Sequence, residues 1–211
     1  MTAPEALAAV LRRRILDGEL AAGTPLREQH LAADHDLARH TVRAALRALA
    51  TEGLVRVEAN RGARVAALDG ADVRALGELR IALEVEGARL ALARHGGRLP
   101  AAVHAACADL ARACAAAAGF GAVAEAHDAL HHAIVAASQS ARIVAAHRAL
   151  SGELRLFLVQ LRPAWDVRGL ADEHAALVAA IERDGPDALR PHVEASTRAL
   201  LASFATPAAR A

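Results

Sequence analysis

The sequence predicts a mainly α-helical protein in two parts: three short helices closed by a small β-hairpin, then an antiparallel all-α bundle of about six helices. Three observations predict it. Between Leu26 and Val65, Leu31, Ala32 and Leu37, then Val42, Ala45, Leu46 and Leu49, recur at steps of three and four, the period of helices sharing a small core. Immediately after them come two β-like runs, Leu54–Val57 and Ala63–Val65, around a tip of Glu58-Ala59-Asn60-Arg61-Gly62, whose Asn, Arg and Gly suit a turn. From Asp69 onward no strand pattern appears.

The elements follow in order. Pro4 to Asp17 reads as a helix with Leu7, Val10, Leu11 and Ile15 on one side, closed by Gly18 and by a turn at Gly23-Thr24-Pro25. A second short helix follows Leu26, and Asp36 is the expected N-cap of a third, with Arg39 three residues on. Gly53 stands where a left-handed residue ends that helix. Two helices, a sharp turn and a two-stranded hairpin make a winged helix-turn-helix. The bundle helices are expected at about 69–95, 99–117, 120–137, 141–161, 167–184 and 186–204. The breaks fall at Gly96-Gly97-Arg98-Leu99-Pro100, Gly119, Ser138-Gln139-Ser140, Arg162-Pro163 and Asp184-Gly185-Pro186. The boundary is drawn at Leu68-Asp69-Gly70, giving parts 1–68 and 69–211.

The third helix opens with Arg39, His40, Thr41 and Arg43. A helix N-terminus already carries partial positive charge, so arginines there call for an external anion. A phosphate backbone or a base edge supplies it. Exposed arginines are often only a solvated face, but four polar residues in register with a helix-turn-helix favour DNA contact.

Composition sets bounds. Hydrophobic content of 55% with 2% aromatic means a core of Ala, Leu and Val, which suits closely packed helices. All 25 basic residues are Arg, which reads as coding bias. Net charge is +1, and residues 1–68 hold ten Arg against eight Asp and Glu, so they reach only +2. Binding to DNA must therefore rest on where arginines sit, and a homodimer that doubles the phosphate contacts is expected. No apolar run reaches the roughly 18 residues of a membrane span and no signal peptide opens the chain, so a cytoplasmic protein is expected. Cys107 and Cys114 lie seven apart on one helix, about 10 Å and too far to bridge. Buried thiols are expected.

Residues 15–65 resemble the DNA-binding domain of the GntR family of bacterial transcription regulators. The residues that carry the resemblance are Ile15-Leu16-Asp17-Gly18, Gly23-Thr24-Pro25-Leu26, Leu31-Ala32, Arg39 with Thr41-Val42-Arg43, Leu46, Glu52-Gly53-Leu54-Val55 and Arg61-Gly62-Ala63. Ala38 stands where members usually have Ser or Thr, and Ala44 where they have Glu. The resemblance implies base and phosphate contacts from Arg39 and Arg43, with His40 and Thr41 alongside. It also implies a backbone contact from Gln29, and a wing tip of Arg61 and Gly62 in the minor groove.

The second part resembles the ligand-sensing FCD domain of the FadR branch, through Leu79-Arg80-Ile81-Ala82-Leu83-Glu84, Leu130-His131 with Ile134, Ala137 and Ser138, and Glu173-His174 with Leu177 and Ala180-Ile181. His127 and His131 are four apart, hence on one helix face, and His174 and His192 lie on later helices. Many FCD domains hold a metal through one carboxylate and three histidines. His131 and His174 match two of those histidines, while His127 occupies the Asp position and Ser196 that of the third His. His192, one turn before Ser196, is a substitute if its helix shifts. Two alternatives stay open, a rearranged His-rich site for a divalent Zn, Ni or Mn ion, and a lapsed one. His132 is expected at the surface.

The family grips acidic effectors with arginines, which makes Arg80 and Arg155 candidate effector-binding residues; for Arg80 a salt bridge to Glu84 is the competing role. Phe157 and Trp165 are pocket wall or core. The expected protein is a regulator, read as a repressor, of a palindromic double-stranded DNA operator, responding to a small organic acid. Its rivals are a ligand-blind DNA-binding dimer and a metal-dependent hydrolase. No nucleophile motif or placed general base supports the hydrolase.

Overall fold

The computed structural model describes residues 1–58, 62–116, 119–161 and 167–205. Helix α1 (Ala3–Leu16) begins behind Thr2, whose amide donates to Glu5 Oε2 at 2.7 Å. It buries Leu7, Leu11, Ile15 and Leu16. Strand β1 (Pro25–Leu26) and helices α2 (Glu28–Asp34) and α3 (Arg39–Thr51) follow. Val42, Ala45, Leu46 and Leu49 form the buried stripe of α3, as their spacing predicts. Gly53 has φ of +78°, the left-handed residue that ends α3.

Two local expectations are corrected. Ala38, not Asp36, is the N-cap of α3, in extended backbone with φ −68° and ψ 145°. Asp36 instead takes φ of +50° in the turn from α2, a conformation Asp tolerates better than most residues. The wing is also larger than a hairpin. Strands β2 (Val55–Glu58) and β3 (Gly62–Val65) pair antiparallel, and β1 adds to the other edge of β3 with Pro25 opposite Arg64 and Leu26 opposite Ala63. Proline is accommodated there because an edge strand can leave one side unbonded.

Asp69 caps α4 (Gly70–Arg94), accepting from the amides of Ala71 and Asp72 at 2.8 and 2.9 Å. The bundle continues with α5 (Ala101–Ala115), α6 (Phe120–Ala136), α7 (Ala141–Arg148), α8 (Ser151–Leu161), α9 (Val167–Asp184), a 3-10 turn (Pro186–Ala188) and α10 (Leu189–Ala205). The expected 141–161 helix is thus divided at Ala149-Leu150, where no Gly or Pro marks a break. Just beyond the division, Gly152 lies so close to the N-terminal part that a Cβ on it would sit 1.4 Å from the Glu52 carbonyl oxygen.

That contact belongs to a broad junction. Leu11, Leu46, Leu49 and Leu54 share one core with Val73, Leu76, Leu154, Leu156, Phe157 and Leu161 of the bundle. Each fully buried leucine contributes roughly 1.5–3 kcal/mol. Asp17 Oδ1 accepts from the Gly121 amide at 2.8 Å, in the first turn of α6. The Gln160 side chain bonds both the amide and the carbonyl of Leu68, at 3.0 and 3.1 Å. A second core, with Leu110, Leu130, Ile134, Leu158 and Ile181, fills the far end of the bundle. Cys107 and Cys114, expected to be buried, are half-buried, and desolvation raises both thiols above their ordinary range. No described helix is long and apolar enough to cross a membrane.

Candidate nucleic-acid interface and metal centre

With its apolar stripe facing inward, α3 turns Arg39, His40, Arg43 and Arg47 to solvent. Arg39, Arg43 and Arg47 are spaced by four, so they form one ridge along the helix. Thr41 is half-buried on the adjoining side, and Gln29 is exposed on α2. Gly62 opens β3 with φ of +81° and nothing within 4 Å of a Cβ position. Arg61 and Trp165 fall outside the described residues.

Sequence reasoning passed over two residues of this face. Arg47 was overlooked although it continues the four-residue step. Glu28 on α2 accepts from Arg43 Nε at 3.0 Å and from Arg43 Nη2 at 2.8 Å, a fork-to-fork pair. The hydrogen bond from Arg43, followed by the charges of Arg43, Arg39 and Arg47, holds the Glu28 carboxyl below its ordinary range.

The histidines meet inside the bundle. His127 and His131 of α6 and His174 of α9 are buried, and one ring nitrogen from each lies within 4.8 Å of the others. His131 Nε2 and His174 Nε2 are 3.3 Å apart. His131 Nδ1 donates to Glu84 Oε2 at 2.8 Å, and His174 Nδ1 donates to the Leu170 carbonyl at 2.8 Å. These acceptors place the protons on Nδ1, so two Nε2 lone pairs face each other. Such a pair is repulsive unless a cation stands between, and ligating histidines characteristically give their other nitrogen to a carboxylate or carbonyl. The spacing fits: two ligands about 2.0–2.1 Å from a tetrahedral zinc stand about 3.3–3.4 Å apart. His127 Nδ1 is buried without a partner. Burial holds His127 and His174 well below the ordinary imidazole range, and lowers His131 to about 4 against the pull of Glu84. Neutral imidazoles are the form a metal requires. The residues present therefore fit a divalent cation.

His192 joins the ring cluster, 4.7 Å from His174 and 5.5 Å from His131 between centroids, but its Nδ1 lies 3.1 Å from Glu173 Oε1. Ser196 is buried and donates to the Val193 carbonyl at 3.0 Å.

Behind the triad stands Glu84, fully buried. Arg80 Nε donates to its Oε1 at 2.8 Å, and His147 Nε2 lies 3.5 Å from the same oxygen. Burial pushes Glu84 up, but Arg80 and His131 outweigh it and keep the carboxyl well below its ordinary range. Arg80 thus forms the salt bridge, stacks 5.9 Å over Phe157, and leaves Nη2 buried without a hydrogen-bond partner. Arg155 Nε donates to the Ser151 carbonyl at 3.1 Å and lies 3.4 Å from Asp128 Oδ2. His132 corrects the surface expectation: α7 covers that side of α6, so the ring is half-buried, 5.8 Å from His147. Asp128 and His147 were not anticipated; Asp128 follows His127 directly, but nothing in the sequence marks which polar residue of α7 turns inward.

Comparison with known proteins agrees with both halves. Residues 4–65 match the model of "Bacterial regulatory proteins, gntR family", and residues 75–199 that of the FCD domain. Among solved structures, a transcriptional regulator GntR from Rhodococcus sp. RHA1 is 27% identical with a TM-score of 0.72, over 95% of this chain and 98% of that one. A GntR family member from Pseudomonas syringae pv. tomato str. DC3000 is 28% identical with a TM-score of 0.53, over 96% and 86%. The fold is also that of E. coli McbR/YncC, with a TM-score of 0.65 at 18% identity, over 97% and 96%. A curated relative, the HTH-type transcriptional regulator BphR of Paraburkholderia xenovorans (strain LB400), is 40% identical over 79 residues, 37% of this chain. That match spans about a third (32%) of the relative's own length. The chain belongs to the GntR family of bacterial regulatory proteins, in the FadR-like group that carries a C-terminal FCD domain.

Proposed function

We propose that this protein is a homodimeric repressor that binds a palindromic double-stranded operator through residues 1–68 and senses a small organic acid through residues 69–211, with one divalent Zn, Ni or Mn ion in the bundle. The observation that carries the DNA reading is the arginine ridge of α3, held clear of the core on a winged frame. Arg39 and Arg43 contact base edges and phosphate with His40 and Thr41 alongside, Gln29 touches the backbone, and the wing tip at Arg61 and Gly62 enters the minor groove. Two such heads are needed, because one carries little excess positive charge.

For the sensor, His127, His131 and His174 hold the metal and His192 lies at its margin. The ion supplies positive charge for an effector carboxylate. Arg80, with Nη2 unsatisfied beside the triad, and Arg155 add donors for the same anion. The solved and curated relatives are transcriptional regulators, which supports regulation over hydrolysis.

Effector binding changes operator occupancy only by its differential affinity for two arrangements of the protein. The junction provides a link: α6 bears His127 and His131 and receives Asp17, while α8 bears Arg155 and packs against Glu52. Gel shift of genomic fragments with and without organic acids, on metal-loaded and chelator-treated protein, tests this reading. Acid-dependent release that needs metal supports it; release indifferent to both refutes the sensing half.

A further inference from the structure

Glu28 is an oddity on this face. It is a carboxylate beside three arginines, on the surface that would meet a polyanion. A surface built only to hold phosphate gains nothing from it, since its charge opposes the approach of DNA. A salt bridge this exposed also adds little stability, with Arg43 54% and Glu28 33% accessible.

The geometry suggests what it does add. Arg43 gives its Nε–Nη2 edge to the two oxygens of Glu28. The guanidinium plane is fixed by that fork, which leaves the other edge, formed by Nη1 and the second Nη2 hydrogen, unused by Glu28 on a side chain that is 54% accessible. Two parallel donors are the partner for two adjacent acceptors, and in the major groove guanine offers these as O6 and N7. An unfixed arginine would turn as readily to a phosphate and carry no sequence information.

We infer that Glu28 is a specificity-determining positioning residue, which clamps Arg43 so that it reads a guanine edge in each half-site rather than a phosphate. This rests on the proposed contact of α3 with DNA. Glu28 acts through Arg43. Its removal leaves a free arginine on the surface, so DNA affinity in general rises while discrimination falls.

The test is enrichment from a pool of random duplex DNA by the full-length wild type, Glu28→Gln and Arg43→Ala, with binding to an unrelated duplex measured against salt. Glu28→Gln keeps the size of the side chain in an exposed first turn, and circular dichroism checks that it folds. The expected result is that both variants lose the same G·C preference, by about tenfold. Glu28→Gln, unlike Arg43→Ala, should bind the unrelated duplex several-fold more tightly and with a steeper salt dependence. An unchanged base preference in Glu28→Gln, alongside a lost one in Arg43→Ala, overturns the inference and leaves the α3 contact standing. Unchanged preference in Arg43→Ala overturns both.

Discussion

His131 and His174 point their Nε2 atoms at each other across 3.3 Å, and each gives its Nδ1 proton to a buried acceptor. Glu84 and the Leu170 carbonyl therefore settle the tautomers, and the lone pairs that remain are arranged for one shared cation. Uptake of one divalent ion per chain is expected. His131→Ala or His174→Ala should abolish it, as read by elemental analysis after loading with Zn, Ni or Mn. Stoichiometric metal in either variant would show that the ion sits elsewhere.

Acid should destabilise the metal-free protein early. The unfolded chain takes up protons on His127 and His174 near their ordinary 6.5, while burial keeps the folded rings neutral well below it. The unfolded state then binds more protons, so stability is present above pH 6.5 and falls as pH drops through that value. The loss is up to about 1.4 kcal/mol per pH unit for each histidine. Thermal unfolding in chelator from pH 8 to 5.5 should show this slope, and a His127→Gln, His174→Gln double variant should flatten it. Parallel curves for the two proteins would refute it.

Arg80→Ala removes the guanidinium that neutralises Glu84, whose side chain is fully buried. Removing the charged partner of a buried ion costs about 3–5 kcal/mol, of which the remaining hydrogen bond from His131 to Glu84 offsets a part. Denaturant unfolding should find a loss of that order, relieved in part by Arg80→Ala with Glu84→Gln. A loss below about 1 kcal/mol would mean that solvent reaches the pair.

Gly152→Ala probes the junction. The added methyl has no room beside the Glu52 carbonyl, and overpacking of this kind costs about 1–3 kcal/mol. The same variant should weaken any coupling between effector and operator, measured as the shift in half-saturating effector in gel shift. A variant as stable and as responsive as the wild type would mean that the two parts separate freely.

Much of this architecture was legible in the sequence, because periodicity reports burial directly. Val42, Ala45, Leu46 and Leu49 announced the inner face of α3, and the four-residue step from His127 to His131 announced a shared face. The failures have tertiary causes. Strand β1 is two residues long and exists only because β3 offers it an edge. The break after Arg148 falls beside the approach of Gly152 to Glu52, a contact about a hundred residues away in sequence that no local pattern shows. Asp36 looked like a cap because caps and left-handed turn residues draw on the same short polar side chains. The pairing of Arg43 with Glu28 crosses two helices, so no local pattern shows it. His147 was hidden for the same reason, lying on a helix whose inward face depends on where α6 passes.

Operator recognition by this protein rests on the arginine ridge of α3. The most direct measurement is the affinity of the purified protein for a duplex enriched from its own genome, compared between wild type and Arg39→Ala in gel shift at fixed salt. The predicted result is a loss of about 1–3 kcal/mol in specific binding, with binding to an unrelated duplex changed far less. Equal affinity of the two proteins for the enriched duplex, or no enrichment of any sequence by the wild type, would contradict it.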